Sequence, residues 1–437
     1  MILSPGFKKY FANTSWLMAE RVLRMVVALF VGVYVARYLG PERFGLLSYA
    51  NSFVGLFIAL ATLGLDGIVV RELVKTPARR DELLGTAFGL KIVGVILMWL
   101  VIITAVPLTE NDVQTNSLIA IIAFAAIFQA FNVIDFNYQA EVKSKYVVHA
   151  QLVQLTISSI TKLVLIAINA SLIWFAWVYC LDAVVFAIGL SVMYLRKSGK
   201  LWCWQWKWQV AKELLKDSWP LMFAYMSYLI YARIDQVMIK EMLDEYHVGI
   251  YSAAYMIYEA PLFIALVTSK SLYPLIVKYY QSNKVRLFYF YLKLSSYMTL
   301  LAYMIVIIFL IFAEDIILIL YGEKYYESAG ILVFLSFGLI PMFNAFLRSS
   351  YITISGNQKI ILYTTIFSSI VNILFNVYFI REFGVIGAAY ATVITQLLSL
   401  LLLNIIFFQT RIIFLIQIKA LLLVGVWKKV YANTLPK

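Results

Sequence analysis

The sequence predicts an all-α polytopic membrane protein, with about twelve transmembrane helices in two six-helix bundles related by a pseudo-two-fold axis along the membrane normal. Three observations predict it. The 437 residues are 63% hydrophobic and 14% charged, with a mean hydropathy of +0.86, whereas a soluble domain is about half apolar and about a quarter charged. Apolar stretches recur at the length of roughly 20 residues needed to cross a hydrocarbon core of about 30 Å. The cations between those stretches fall mostly in every second gap. With 9 Pro, 20 Gly and 2 Cys, disorder, a collagen-like repeat and a disulfide scaffold are excluded. Long apolar runs, rather than alternating segments of about ten residues, exclude an outer-membrane barrel.

The expected spans lie near 14–38, 44–70, 85–106, 117–138, 149–169, 172–195, 218–239, 248–275, 292–313, 329–350, 360–380 and 384–408. The first run carries Glu20, Arg21 and Arg24 and lacks a small-residue cleavage site, so no cleavable signal peptide is expected. After the twelfth span, residues 412–426 are interrupted by Lys419 and read as an interfacial helix rather than a span. The expected domains are an N-terminal bundle (1–195), a basic Trp-rich linker (196–217), a C-terminal bundle (218–408) and a tail (409–437).

Charge predicts the orientation. One set of gaps and the two ends hold about 25 of the 36 cations, among them Lys8, Lys9, Arg71, Lys75, Arg79, Arg80, Lys143, Lys145, Lys200, Lys207, Lys212, Lys216, Arg348, Lys359, Lys428, Lys429 and Lys437. The other gaps hold few cations and many acids, including Glu42, Glu110, Asp112, Glu241, Asp244 and Glu245. Cytoplasmic loops concentrate Lys and Arg, so both termini are expected in the cytoplasm. The net charge of +13 then reads as topology, and nucleic acid is not an expected partner.

Two features support a division into halves. The linker places Trp202, Trp204, Trp206 and Trp208 at every second position, one face of an extended segment suited to lipid headgroups or to packing on the protein. Phe44-Gly45-Leu46-Leu47-Ser48-Tyr49-Ala50 opens the second span, and Val248-Gly249-Ile250-Tyr251-Ser252-Ala253-Ala254 opens the eighth; a Phe-Ile-Ala-Leu tetrad follows each. Parallel repeats of this kind generate two bundles with a path between them.

Ionisable groups at membrane depth each need a partner, water or a purpose, since one at the bilayer centre costs about 3 kcal/mol. Glu20, Arg21 and Arg24 share a helix face by their three- and four-residue spacings, and Asn13 extends it. Lys91, Lys162, Asp182, Arg233, Asp235, Glu259 and Lys270 are also deep, with Asp66 and Asp135 near the inner ends. Lys91, Lys270, Asp66 and Asp135 are expected to be paired or snorkelling; Arg24, Lys162, Arg233, Asp235 and Glu259 are expected to line a polar cavity. Tyr225, Tyr228 and Tyr231 recur at three-residue steps, a stripe able to line a sugar path or to serve as packing. Asn372 and Asn376 could serve a lumen or join helices. Pro261 and Pro341 should bend their helices.

Enzymatic machinery is not evident. The outer loops are short, His149 and His247 are far apart, and no P-loop, zinc spacing or nucleophile elbow is present. Neither an enzyme nor a bound cofactor or metal is expected. A membrane-embedded polymerase or ligase is the weaker alternative.

Arg37-Tyr38-Leu39-Gly40-Pro41-Glu42-Arg43-Phe44-Gly45, Leu63-Gly64-Leu65-Asp66-Gly67 with Arg71-Glu72-Leu73, and Asp217-Ser218-Trp219-Pro220-Leu221 leading to Arg233-Ile234-Asp235-Gln236 together resemble the Wzx-type O-antigen flippases. These are polysaccharide transporters of the multidrug/oligosaccharidyl-lipid/polysaccharide exporter superfamily, and the resemblance runs over about residues 10–410. It implies two bundles around a cationic cavity in the bacterial inner membrane. It also implies transfer of an undecaprenyl-diphosphate-linked oligosaccharide, such as an O-antigen unit for lipopolysaccharide, from the cytoplasmic to the periplasmic leaflet. Arg24 resembles the family's lumen-facing cation; Arg21, Lys162 and Arg233 follow as diphosphate ligands, since guanidinium forks match phosphate oxygens. Tyr225, Tyr228, Tyr231, Asn372 and Asn376 are the expected sugar path. Glu20, Asp235 and Glu259 are the expected carboxylates for coupling to a proton or sodium ion. Membrane lipid, a polysaccharide polymerase and chain-length proteins are the other expected partners. The rival within the superfamily is a drug/cation antiporter, which would favour an acidic pocket.

Overall fold

The computed structural model describes residues 5–197 and 199–427, with side chains from Glu20 onward. Expectations for Lys8, Lys9, Asn13, Lys428, Lys429 and Lys437 concern side chains outside the described residues. Among those described, every regular element is a helix. The chain forms two compact units, one ending at Gly249 and the other starting at Ile250.

In the first unit, α1 (Pro5–Thr62) holds two of the expected spans. They are separated at Gly40, whose φ of 74° and ψ of 169° break the helix immediately before Pro41. Glycine adopts such a conformation without a Cβ clash, and proline resumes a helix at its first turn. A turn through Leu63 and Gly64, both at positive φ, leads to α2 (Asp66–Lys75). Gly64 has a second role: a Cβ there would lie 2.6 Å from Met222 N.

Next come α3 (Arg80–Ala105), α4 (Val113–Ala125), a 3-10 stretch over Ala126–Asn132, α5 (Val133–Ala140), α6 (Lys145–Ala167) and α7 (Leu172–Lys197). The Asp112 carboxylate caps α4 by accepting the Thr115 N–H at 2.8 Å. The long α8 (Trp208–Met242) completes the set and packs beside α1. An apolar core of this unit includes Leu65, Leu84, Val133, Tyr138, Leu190 and Leu214.

The linker is a strap across α3. Gln205 N–H donates to Asp81 O at 3.1 Å, and Lys207 N–H to Thr86 Oγ1 at 3.0 Å. Gly85 and Gly89 make room: a Cβ on the first would sit 2.6 Å from Gln205 N, and on the second 2.7 Å from the Trp206 ring. The expected single face of four indoles is therefore split. Trp204 packs between Phe88 and Tyr194 and donates Nε1–H to the Tyr194 hydroxyl at 3.1 Å. Trp202, in a 3-10 turn, and Trp208, opening α8, are 75% and 65% exposed. Helical turns at both ends of the strap disrupt the two-residue alternation.

The two echoed motifs meet. A Cβ on Gly45 would overlap the Glu245 carbonyl and lie 2.9 Å from Gly249 N. A Cβ on Gly249 would overlap the Pro41 carbonyl and lie 2.9 Å from Pro41 Cα. Each glycine thus faces the carbonyl four residues before the other, so the contact is reciprocal. Tyr49 donates to Glu241 at 2.7 Å beside it and accepts from Asn111 at 3.1 Å.

In the second unit, the remainder of α9 (Glu245–Glu259) is parted from α10 (Leu262–Ser282) at Ala260–Pro261, as the proline leads one to expect. α11 (Lys284–Leu320) is followed by α12 (Ser328–Ser336) and α13 (Leu339–Ile354), bent by 45° at their break, with Pro341 in the first turn of α13. α14 (Lys359–Phe383) and α15 (Val385–Gln396) follow. α15 runs into a π turn over Leu397–Leu401 and a 3-10 turn over Leu402–Ile405.

The segment expected at the interface forms α16 (Arg411–Leu421) and the short α17 (Val424–Trp427). With 11 residues, α16 is about 16 Å long, too short to span. It lies along α11: Tyr303 donates to Leu421 O at 3.0 Å, and Gly425 N–H to Ser296 Oγ at 3.1 Å.

Nine helical segments among the described residues are long and apolar enough to cross a membrane, or ten if α12 and α13 count as one bent span. The difference between ten and the expected twelve has two visible sources. The stretch containing α1 counts once although it holds two expected spans parted at Gly40, and α8, which carries Arg233, Asp235 and three tyrosines, is not among the nine.

Candidate functional site

Nine of the twelve expected site residues fall in the first unit, on α1, α6 and α8. Glu20 and Arg24, one turn apart on α1, form an ion pair: Arg24 Nε and Nη2 lie 2.6 and 2.5 Å from Glu20 Oε1. The Glu20 side chain is 3% exposed and that of Arg24 38%, so the carboxylate is buried while part of the guanidinium is not. Arg21 is exposed. Lys162 of α6 faces Asp182 of α7, with Nζ 4.0 Å from Oδ2, and both are half-buried. Arg233 of α8 is half-buried beside α1, its Cγ 3.9 Å from where a Gly55 Cβ would stand. Among the described residues, no carboxylate approaches within 4 Å of Arg21 or Arg233, the limit for an ion pair.

These groups share one electrostatic neighbourhood. Arg24 and Lys162 both act on Asp182, and Arg233 and Asp182 both act on Tyr179 of α7. Tyr179 has no place among the expected site residues, because nothing in its apolar helix sets it apart. Asp235 is 4% exposed, and the adjacent Gln236 accepts a hydrogen bond from Ser52 of α1. Tyr225 and Tyr228 stack with centroids 6.4 Å apart and rings 16° from parallel, and are 40% and 53% exposed; Tyr231 is half-buried.

Elsewhere in the first unit, the buried Lys91 ammonium lies 3.1 Å from Asp66 and 4.7 Å from the centre of the Phe136 ring. It is paired, as its position suggested. Asp135 accepts from Gln139 at 3.0 Å. Arg71 of α2 bonds Asp217 in the first third of α8, and this hydrogen bond holds the Asp217 carboxyl below its usual range.

The other three expected site residues are in the second unit. Glu259 is exposed at the end of α9, next to the break before α10. Asn372 and Asn376 are fully buried on α14, with Asn376 Nδ2 donating to Asn372 Oδ1 at 3.1 Å. The sequence reading took Arg348 for a loop cation. It lies instead within α13 and is 3% exposed, donating to Asn404 Oδ1 at 2.6 Å and Thr364 Oγ1 at 3.3 Å. Its neutral partners come from distant segments, so local sequence could not mark it. Among the described residues, no group of three His, Cys, Asp or Glu side chains is placed to hold a metal ion.

Residues 10–280 match the family described as polysaccharide biosynthesis protein, and residues 220–378 the MatE family. A capsular polysaccharide biosynthesis protein, CapF, from Staphylococcus aureus is 25% identical over 195 residues, 44% of this chain. The chain spans about half (48%) of the length of that curated relative. Among solved structures, an inward-facing multidrug resistance MATE family transporter of the MOP superfamily has a TM-score of 0.70 at 17% identity, covering 93% of this chain and 96% of its own. The lipid II flippase MurJ in an inward closed conformation also has a TM-score of 0.70, at 16% identity, covering 96% and 93%. A MOP superfamily transporter from Pyrococcus furiosus, described as having a binding pocket of reverse polarity, scores 0.57 at 15% identity, covering 94% of each chain. At these identities the structural likeness establishes the fold. The match over residues 10–280, more than half of the sequence, places this chain in the polysaccharide biosynthesis protein family, as a multi-pass membrane protein with the helical fold of the MOP transporters.

Proposed function

We propose that the protein is a flippase that moves an undecaprenyl-diphosphate-linked oligosaccharide from the cytoplasmic to the periplasmic leaflet of the bacterial inner membrane. The single observation that carries this reading is the uneven pairing of charge in the first unit. Arg24 shares Glu20 and Lys162 shares Asp182, while Arg21 and Arg233 meet no carboxylate within ion-pairing distance among the described residues. A diphosphate carries about two negative charges and cannot enter hydrocarbon bare; guanidinium groups screened from bulk water are suited to bind it. Arg24, Arg21, Lys162 and Arg233 are therefore the proposed diphosphate ligands. The stacked Tyr225 and Tyr228, with Tyr231, offer ring faces and hydroxyls to sugars. Asn372 and Asn376 complete the proposed path, although their mutual bond and full burial favour a role in packing until the second unit rearranges.

The proposed mechanism is alternating access between the bundles of residues 1–195 and 218–408. The glycan and diphosphate cross through the protein while the lipid remains in the membrane. Glu20, Asp235 and Glu259 are the proposed carboxylates for coupling to a proton or sodium gradient, the first two being buried as such a role favours. The MatE match favours a second reading, a drug/cation antiporter. Such a cargo would be repelled by the unpaired cations that suit a diphosphate.

A strain lacking its own flippase, complemented with this protein and the matching glycan-assembly enzymes, tests the proposal. Arg24→Ala is expected to abolish surface glycan at normal protein abundance and to leave lipid-linked glycan on the cytoplasmic side; Arg24→Lys should retain part of it. Full display by Arg24→Ala would remove the phosphate-binding role. Loss of cationic-dye export with intact glycan display would select the antiporter.

A further inference from the structure

The second unit carries a further feature built from α13, α14 and the chain that follows α15. An apolar crevice of about 230 Å³ is lined by Tyr363, Thr364, Phe367, Leu403, Ile406 and Phe407. It opens on the outside of the unit, where Tyr363 and Ile406 are 54% and 65% exposed. Its one hydroxyl at depth, that of Thr364, accepts from the buried guanidinium of Arg348. Asn404 on the other side of that guanidinium also donates to Gln417 Oε1 at 2.9 Å. Among the described residues no carboxylate lies within 4 Å of Arg348, so a full charge is held behind the crevice by neutral groups alone.

Two more cations lie close along the chain to residues that line the crevice. Arg411 donates Nε–H to Ile405 O at 3.0 Å, one residue from the lining Ile406, with its guanidinium 5.8 Å from the centre of the Phe408 ring. Lys359 is exposed one helical turn before Tyr363 on α14. Neither has an ion-pair partner among the described residues. From Ser328 to the C-terminus the sequence contains one acid, Glu382, at the far end of α14 from Lys359. Among the described residues, none of the three cations forms an ion pair with a carboxylate.

We infer that this crevice binds one anionic membrane phospholipid, with an acyl chain against Phe367, Leu403 and Ile406 and its phosphate at Arg411 and Lys359. Hydrocarbon fits the apolar walls. The phosphate supplies the negative charge that the protein lacks there, and Arg348 adds attraction from behind Thr364. Exposed cations near a membrane surface favour anionic lipid individually by a few-fold, so the pair should prefer it over zwitterionic lipid by roughly tenfold or more. The inference is independent of what the first unit transports.

The test is native mass spectrometry on the purified, delipidated full chain, titrated with dioleoylphosphatidylglycerol or dioleoylphosphatidylcholine. One phosphatidylglycerol should be retained with at least about tenfold preference. The double variant Lys359→Gln/Arg411→Gln should bring retention to the phosphatidylcholine level, and Phe367→Trp, which fills the crevice, should lower retention of both lipids. Arg348→Gln should also weaken retention; because it alters a buried network, the other two variants keep the inference testable if it fails to fold. Equal retention of the two lipids, or variants that hold phosphatidylglycerol like the wild type, would overturn it. Displacement of bound phosphatidylglycerol by equimolar undecaprenyl phosphate would also overturn it, by assigning the crevice to an isoprenoid carrier.

Discussion

At the scale of single residues, the Glu20–Arg24 pair makes the carboxylate a competitor for any anion offered to the guanidinium. Arg24 can give its strong hydrogen bonds to Glu20 or to a phosphate, and Glu20→Gln removes the competing charge. On the proposed function, Glu20→Gln is expected to bind a lipid diphosphate several-fold more tightly than the wild type does. Binding curves for an undecaprenyl-diphosphate glycan at neutral pH would measure this; weaker binding by Glu20→Gln contradicts the competition. The spacing of Glu20, Arg21 and Arg24 made a shared face legible. That Glu20 is buried while Arg24 is partly open was not, because this depends on neighbouring helices.

At the scale of elements, the reciprocal glycine contact and the α4 cap make separate predictions. Gly45 and Gly249 face backbone atoms, which cannot move aside as a flexible side chain can. Gly45→Val or Gly249→Val should lower the melting temperature of the purified protein, with a cost of order 1–3 kcal/mol expected for overpacking. A valine tolerated at both positions would mean that the helices separate freely there. For the cap, the Thr115 hydroxyl and N–H hold the Asp112 carboxyl below its ordinary value. A carboxylate depressed in the folded state stabilises above its unfolded pKa, and this contribution is lost as pH falls through the folded value. Asp112→Ala should thus cost about 1 kcal/mol at pH 7, and its melting curve should converge with the wild type's as both are acidified below about pH 4. An equal gap at pH 7 and pH 3 would mean that the charge contributes nothing.

At the scale of the whole molecule, the cation distribution predicts orientation. Reporter fusions following residue 200 should be active only in a cytoplasmic assay, and fusions following residue 110 only in a periplasmic one. The reverse pattern would invert every span and the proposed direction of transport. The helical fold was legible because hydropathy is a running local property and a span satisfies its own backbone hydrogen bonds. The first two spans and the one at 218–239 were legible as well: Gly40 parts the first two within α1, and α8 is one long helix although it carries Arg233 and Asp235.

Sequence by itself determined a helical membrane protein, the turn between the first two spans, the bend at Pro261, the repeat motifs around Gly45 and Gly249, and the close spacing of Glu20 and Arg24. Each follows from neighbours along the chain, within the reach of backbone sterics or one helical turn. Only the tertiary structure decided that the two repeat glycines face each other, that Lys162 meets Asp182, that Trp204 packs inward while Trp202 and Trp208 point out, and that Arg348 is buried on neutral groups. Those outcomes depend on which surfaces meet across long stretches of sequence; 56 residues separate Arg348 from Asn404, and a charge read locally carries no record of such a partner.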